Sequence, residues 1–168
     1  NETGFRGKAD VTYRTEGWDF ILAGGGLYNN LDYSFTAKHP DGTFLEYESP
    51  GGGSPELRKQ LGILKTFIHG FDFILMVPDT TFITGGVPEG GTARALVEPG
   101  RQYAIYIKGG THADLKLNLP AGSYRAEWLD TKTGKTVWSG KLRHPGGEAV
   151  LRSPDYSEDI ALSIRAAR

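Results

Sequence analysis

Hydrophobic residues follow a helical period in the first part of the chain and a period of two in the remainder. The clearest helical pattern has apolar residues at spacings of three, four and seven, which share one face of a helix: Leu57, Leu61, Leu64, Phe67, Ile68 and Phe71. Ser54 is a good N-cap, Pro55 suits the first helical position and Glu56 favours the positive helix end. The opposite face carries the basic residues Arg58, Lys59 and Lys65. The pattern predicts a helix that starts after Ser54 and buries one face.

A second helical segment comes earlier, from about Val11 to Ala23, with Asp10 or Thr12 as its cap. The three glycines that follow Ala23 end it. Between the two helices, the segment from Tyr28 to Phe35 is predicted to be a strand, and a long polar connection follows it. Strand end, helix, strand, long loop and helix is the order of βα units in a parallel barrel.

From Pro78 onward, short segments alternate between apolar and polar residues, with turn residues between them. About eight such segments predict a two-sheet antiparallel sandwich: 81–87, 92–98, 102–108, 114–119, 123–130, 136–142, 148–152 and 159–166. We therefore expect an α+β chain in two parts. Residues 1–77 would form the last two βα units of a β/α barrel, and residues 78–168 an antiparallel β-sandwich. An eight-fold barrel needs roughly 250 residues, so the first part cannot close one alone.

Composition narrows the classes of partner. The chain has 168 residues, of which 38% are hydrophobic and 23% charged, with a net charge of −1. This balance is typical of a globular protein and argues against nucleic acid or an acidic membrane surface as a partner. No run approaches the ~20 apolar residues of a membrane span. The absence of Cys excludes disulfides and thiolate chemistry. The four histidines lack metal-ligand spacing, so neither a metal site nor a cofactor is predicted.

Glu2 is a candidate for carboxylate chemistry. A retaining glycosidase needs two carboxyl groups about 5–5.5 Å apart, one as nucleophile and one as acid/base. In a β/α barrel, both project from the carboxyl ends of strands. Glu2 has that placement, and Gly4 and Gly7 permit the turn that leaves the strand. The alternative is a solvated carboxylate at the end of the chain.

A polar, aromatic cluster follows the first helix and includes Tyr28, Asn30, Asp32 and Tyr33. Sugar sites use aromatic faces for C–H packing, and amides or carboxylates for hydroxyl groups, and this cluster supplies both. Asp32 fits a hydrogen-bonding role better than that of an acid/base. The alternative is a polar turn followed by a strand with core tyrosines. Trp128 and Trp138 also allow two interpretations: they lie in the core of the sandwich, or they form an exposed aromatic platform for a polysaccharide.

The motifs in the first part resemble the final two βα units of bacterial glycoside hydrolases, in the broad class of cellulase-like barrels with two catalytic glutamates: Tyr13-Arg14-x-x-x-Trp18, Phe20-x-Leu22-Ala23-Gly24-Gly25, Tyr28-x-Asn30-Leu31-Asp32-Tyr33-Ser34-Phe35, His39-x-Asp41-Gly42 and Gly51-Gly52-Gly53-Ser54-x-x-Leu57-Arg58. The second part is similar to the small β-sandwich that follows such barrels: Tyr103–Lys108, Leu115–Leu119, Gly122–Trp128 and Asp159-x-Ala161-Leu162. That sandwich is commonly labelled a collagen-binding domain, although no residue here indicates collagen recognition.

The resemblance implies a role for each candidate. Glu2 matches the nucleophile at the end of the seventh barrel strand, and Tyr28, Asn30 and Asp32 fall at the end of the eighth strand, beside the −1 sugar subsite, with Tyr33 next to them. The first six βα units and the acid/base would be missing from the chain. The implied partners are a carbohydrate substrate and the missing N-terminal barrel portion, and the usual location is secreted or periplasmic. We expect the chain alone to have no hydrolase activity.

Three hypotheses follow. The chain is the C-terminal part of a retaining glycoside hydrolase; or it is a non-catalytic sandwich that binds carbohydrate or a matrix polymer, or braces the barrel; or it is an independent protein whose helices pack on the sandwich. Bracing predicts that both Trp128 and Trp138 are buried and that the apolar face of the second helix lies against the missing barrel. Binding predicts coplanar exposed aromatics on one sheet. Self-association of the isolated chain could hide an uncovered apolar face.

Overall fold

The computed structural model describes residues 2–3 and 5–167, without the side chains of residues 2 and 3. It contains the helices α1 (Asp10–Leu22) and α2 (Pro55–His69) and a 3₁₀ turn (Phe73–Leu75). The strands are β1 (Glu2–Thr3), β2 (Asn29–Asn30), β3 (Val77–Pro78), β4 (Ile83–Gly85), β5 (Thr92–Glu98), β6 (Gln102–Lys108), β7 (Asp114–Leu119), β8 (Gly122–Leu129), β9 (Thr136–His144), β10 (Gly147–Arg152) and β11 (Asp159–Ala166). The described part is thus a mostly-sheet α+β fold, and none of its helices is long and apolar enough to cross a membrane.

Two antiparallel sheets make up the second part of the chain. One has six strands in the order β3-β5-β6-β11-β8-β9, and the other has three in the order β10-β7-β4. The period-two pattern predicted all of these strands except β3, and the alternate burial behind that pattern is clearest in β7. Apolar residues of both sheets form one buried cluster, whose members include Ile105, Leu117, Trp128, Leu151, Ile160, Leu162 and Ile164.

The outer face of the six-stranded sheet carries a second core, which it shares with the two helices. Trp18 of α1 stacks on Tyr106 of β6 with ring centroids 5.4 Å apart and lies 5.1 Å from Phe67 of α2. Leu64 and Phe67 therefore pack against the sheet of this chain, and not against a missing barrel as the bracing hypothesis expected. Because β6 and β11 are covered on both faces, they are buried along almost their whole length.

The N-cap of α2 is the predicted one, and that of α1 is not. The Ser54 side chain accepts a hydrogen bond from the Leu57 amide at 2.9 Å, and Pro55 occupies the first turn. Helix α1 is capped by Ala9 without a side-chain hydrogen bond, so the prediction of Asp10 or Thr12 is wrong. Asp10 is already helical, and its carboxylate accepts a hydrogen bond from the Ser54 hydroxyl at 2.7 Å. One contact thus joins the first turns of both helices.

The strand predicted from Tyr28 to Phe35 is shorter than expected, because β2 contains Asn29 and Asn30 alone. Asp32 explains the early end, since its Oδ1 accepts hydrogen bonds from the Ser34 amide at 2.9 Å and the Ser34 hydroxyl at 2.6 Å. Such a local bond to the backbone two residues ahead favours a turn over an extended strand.

Candidate functional site

The candidate site is built on β1 and β2, which pair in parallel with α1 between them in the chain. Glu2 is in register with Asn29, and Thr3 with Asn30. Residues paired across adjacent strands lie on the same face of a sheet, and successive residues alternate between faces. Asn29 therefore shares the face of Glu2, and Asn30 shares that of Thr3. The Glu2 side chain lies outside the described part, so its catalytic role remains a prediction.

Tyr28 is directed toward α1. Its hydroxyl donates a hydrogen bond to Glu16 Oε2 at 3.3 Å, and its ring lies 6.4 Å from that of Phe20. A side chain added at Gly17 would press against the same ring, so the absence of one makes room for it. Burial, followed by the charge of Glu16, raises the pKa of the Tyr28 hydroxyl far above its usual value. Tyr28 is thus a neutral phenol that ties the start of β2 to α1.

Asp32 is held by Arg58 of α2. Arg58 Nη1 donates hydrogen bonds to Asp32 Oδ2 at 2.7 Å and to the Ser34 hydroxyl at 2.9 Å, and Nη2 donates to the Gly42 carbonyl at 2.7 Å. The guanidinium carbon also lies 4.7 Å from the centre of the Phe35 ring. Arg58 therefore has a structural role, although the sequence placed it on the polar face of its helix. Asp32 thus holds a turn in place, and the expectation that it is not an acid/base stays a prediction.

Tyr33 lies against the glycine-rich loop before α2. Its amide donates to the Gly52 carbonyl at 3.1 Å, and its ring is 6.1 Å from that of Tyr47. The Tyr47 hydroxyl donates to the Gly53 carbonyl at 2.8 Å, and the Lys8 ammonium lies 4.9 Å from the centre of the Tyr47 ring. Sequence reasoning did not single out Tyr47. Its only signal was an aromatic residue within a polar segment.

Asn30 differs from these residues because its amide nitrogen has no hydrogen-bond partner among the described residues and is shut off from solvent. Asn29, in contrast, is exposed. Within the described part, no group of three or more His, Asp or Glu side chains is arranged to hold a metal ion. The structure thus brings Tyr28, Asn30, Asp32 and Tyr33 together around β2 and its turn, with three of them already engaged by protein groups.

A buried polar cluster between α1 and the six-stranded sheet was missed by sequence reasoning. Arg14 Nη2 donates to Asp159 Oδ1 at 2.6 Å and to Glu158 Oε2 at 2.7 Å. Asp159 Oδ2 also accepts from the hydroxyls of Tyr106 at 3.1 Å and Thr131 at 2.8 Å. The available signal was an arginine between Tyr13 and Trp18, two aromatic residues of the same helix.

The two tryptophans of the sheets differ in exposure. Trp128 is fully buried in the core between the sheets, whereas Trp138 is 41% exposed. The two residues are directly paired across β8 and β9, and the Trp138 ring lies over Gly140, where a side chain would clash with it. The expectation that bracing buries both tryptophans is therefore wrong for Trp138. One exposed indole is also less than the coplanar set that the binding hypothesis required.

A cavity of about 620 Å³ lies between α2 and the outer face of the six-stranded sheet. Its lining includes Phe67, Glu127 and Arg165. Glu127 is the carboxylate among the described lining residues, and it already pairs with Arg125 at 2.8 Å and with Arg165 at 3.8 Å. The cavity therefore offers no pair of carboxyl groups for hydrolysis.

Comparisons with known proteins show that the chain shares its fold with parts of solved structures. No family model and no curated protein matches the chain. A solved structure described as a glycoside hydrolase matches with a TM-score of 0.66 and 18% identity, over 94% of this chain and 37% of that one. A glycoside hydrolase family 5 protein from Bacteroides vulgatus gives a TM-score of 0.65 and 18% identity, over 94% and 36%. A GH30 endoxylanase from Clostridium papyrosolvens gives 0.52 and 14%, over 99% and 41%. The chain spans little more than a third of the first two.

Proposed function

We propose that this chain is the C-terminal part of a retaining glycoside hydrolase that acts on a poly- or oligosaccharide. Residues 1–77 would supply the last two βα units of its barrel, and residues 78–168 an accessory β-sandwich. The observation that carries the proposal is the parallel pair of β1 and β2 with α1 between them, a βαβ connection of the kind that a β/α barrel repeats. The fold shared with glycoside hydrolases over 94% of the chain supports it.

In the proposed reaction, Glu2 attacks the anomeric carbon and forms a covalent glycosyl intermediate, which water then hydrolyses. The second carboxyl group, which first protonates the leaving oxygen and then deprotonates the water, would come from the portion of the barrel that precedes residue 1. Asp32 does not fill this role, because both of its oxygens accept hydrogen bonds from Arg58 or Ser34. The 168-residue chain alone should therefore be inactive.

The sheets would hold the helices of the barrel end in place, which is bracing of a different kind from the one first expected, since α2 packs on the sheet and Trp138 is exposed. The second core and the contact between Arg14 and Asp159 support this role, since they fix α1 and α2 to the sheet through buried groups. A second candidate is carbohydrate binding by the sheets, and the exposed ring of Trp138, which lies over Gly140, favours it. Aromatic faces of this kind suit stacking on a sugar ring.

The proposal is tested with the complete protein that contains this chain, assayed on a panel of aryl glycosides. Glu2→Gln should lower kcat by at least about 1,000-fold, as expected when a covalent nucleophile is removed. The exposed Glu48→Gln serves as the matched control and should keep the activity. Azide should restore cleavage in Glu2→Ala and give a product of inverted configuration, because it replaces the carboxylate in a single displacement. Full activity of Glu2→Gln, or no activity of the complete protein on any glycoside, would contradict the proposal.

A further inference from the structure

The faces of β2 carry an inference about substrate binding, which rests on the proposed function. Exposure alternates along the segment: Tyr28 and Asn30 are partly buried, whereas Asn29 and Leu31 are exposed. The contacts of Tyr28 with Glu16 and Phe20 identify its side as the one that faces α1. Asn30 lies two positions later and so belongs to the same side.

The other side of β2 is that of Asn29, which is in register with Glu2. In a barrel, residues on the side away from the helices face the interior, and those at the carboxyl ends of the strands border the active site. Among the described residues, Asn29 has no side-chain hydrogen-bond partner, and it is exposed. Its amide thus offers one acceptor and two donors that no described residue uses.

We infer that Asn29, rather than Asn30, is the residue of β2 that hydrogen-bonds the sugar held beside Glu2. A neutral amide can accept from one hydroxyl and donate to the next, so it suits the adjacent hydroxyl groups of a pyranose. It adds no second negative charge beside a carboxylate nucleophile. Asn30 is instead partly buried on the side of Tyr28, and its substitution should act on stability.

The test measures sugar binding and hydrolysis separately in the complete protein. Binding is measured by calorimetry with glucose, xylose, mannose, galactose and their β-linked disaccharides, each with wild type, Asn29→Ala, Asn29→Asp and Asn30→Ala. Loss of one neutral hydrogen bond should raise Kd by about 3- to 10-fold in Asn29→Ala. Asn29→Asp keeps the hydrogen-bond acceptor and loses the two donors, so it should also bind the sugar more weakly than wild type does. Asn30→Ala should bind like wild type, and thermal unfolding reports any loss of its stability.

An unchanged Kd in Asn29→Ala, a larger effect in Asn30→Ala, or no binding of any sugar by wild type would overturn the inference. Failure of the proposed function has a different signature, because it would appear in the hydrolysis assay as full turnover by Glu2→Gln or no turnover by wild type. Sugar binding that depends on Asn29 without hydrolysis would support the inference and contradict the enzyme. Hydrolysis that depends on Glu2, together with a Kd that does not change in Asn29→Ala, would support the enzyme and contradict the inference.

Discussion

Arg14 and Asp159 are 145 residues apart in the chain, yet their guanidinium and carboxylate groups meet at 2.6 Å in the interior. Their side chains are only 3% and 0% exposed. Arg14 belongs to the first helix and Asp159 to the last strand, so this pair joins the two ends of the fold. Gln60 of α2 accepts a further hydrogen bond from Arg14 at 3.3 Å. Both helices and the six-stranded sheet therefore meet at one polar centre.

Arg14→Met should destabilise the chain strongly, because it leaves Asp159 buried without its counter-charge. We expect the free energy of unfolding to fall by about 3–5 kcal/mol. The measurement is urea unfolding at pH 7. Arg94→Gln is the matched control, since its exposed guanidinium is 3.8 Å from Asp19 and such pairs contribute about 1 kcal/mol or less. If both substitutions lowered the free energy of unfolding by the same amount, the buried pair would not stabilise the fold more than an exposed pair does.

Alkaline pH should destabilise the fold through Tyr106. Burial, followed by the charge of Asp159, raises the pKa of its hydroxyl far above the ordinary value of 10.0. Because the folded pKa is the higher one, the stabilisation is complete below pH 10 and is lost as the pH rises above it. Unfolding measured between pH 8 and about 11.5 should show this decline, and Tyr106→Phe should reduce it while lowering stability at neutral pH.

Phenolate absorbance gives an independent check of the same prediction. Tyr156 should titrate late as well, since burial and then Asp159 raise its pKa to about 12. If all eight tyrosines ionised near pH 10 in the folded chain, the prediction would be wrong.

Ser54→Ala should remove the cap of α2 and also the hydrogen bond to Asp10. Loss of such a cap costs about 1 kcal/mol, within a range of about 0.5–2. Chemical unfolding followed by circular dichroism measures the change. Ser139→Ala, on the exposed surface of β9, should stay within about 0.5 kcal/mol of wild type. A cap variant as stable as this control would contradict the role of Ser54.

Of the three tryptophans, one should be accessible to a fluorescence quencher in solution and two should be shielded from it. Trp18 and Trp128 are 0% exposed, and Trp138 is 41% exposed. Acrylamide should quench Trp138 readily, and Trp138→Phe should remove most of the quenchable emission. If quenching in that variant matched wild type, the helices would not shield Trp18 against the sheet.

The periodic elements could be predicted from the sequence, because their signals are local. Strand β7 alternates buried and exposed residues at every position, and α2 has its cap, its proline and its apolar face within one segment. The sequence did not reveal the pairing of Arg14 with Asp159, since it depends on how distant elements pack. It also did not reveal the short length of β2, where the Asp32 side chain ends a strand that composition favoured.

The candidate site was harder to predict than the elements around it. A strand of two residues has no period from which its faces can be assigned, and sequence reasoning singled out Tyr28 and Asn30 without Asn29. Register with β1 and the contact of Tyr28 with Glu16 are tertiary facts, and they distinguish the faces. The predicted boundary after residue 77 stays a prediction; in the structure it lies within β3, which pairs with β5.

The sheet with a core on each face limits how this protein can be divided. A recombinant piece that starts at residue 78 would lose the helices and expose Leu96, Ala104, Tyr106 and Ala161 to water. Such a piece would present a broad apolar surface and leave Asp159 without Arg14. Anyone who wishes to graft the sheets onto another enzyme should therefore carry α1 and α2 with them. The transferable unit begins ahead of Asp10.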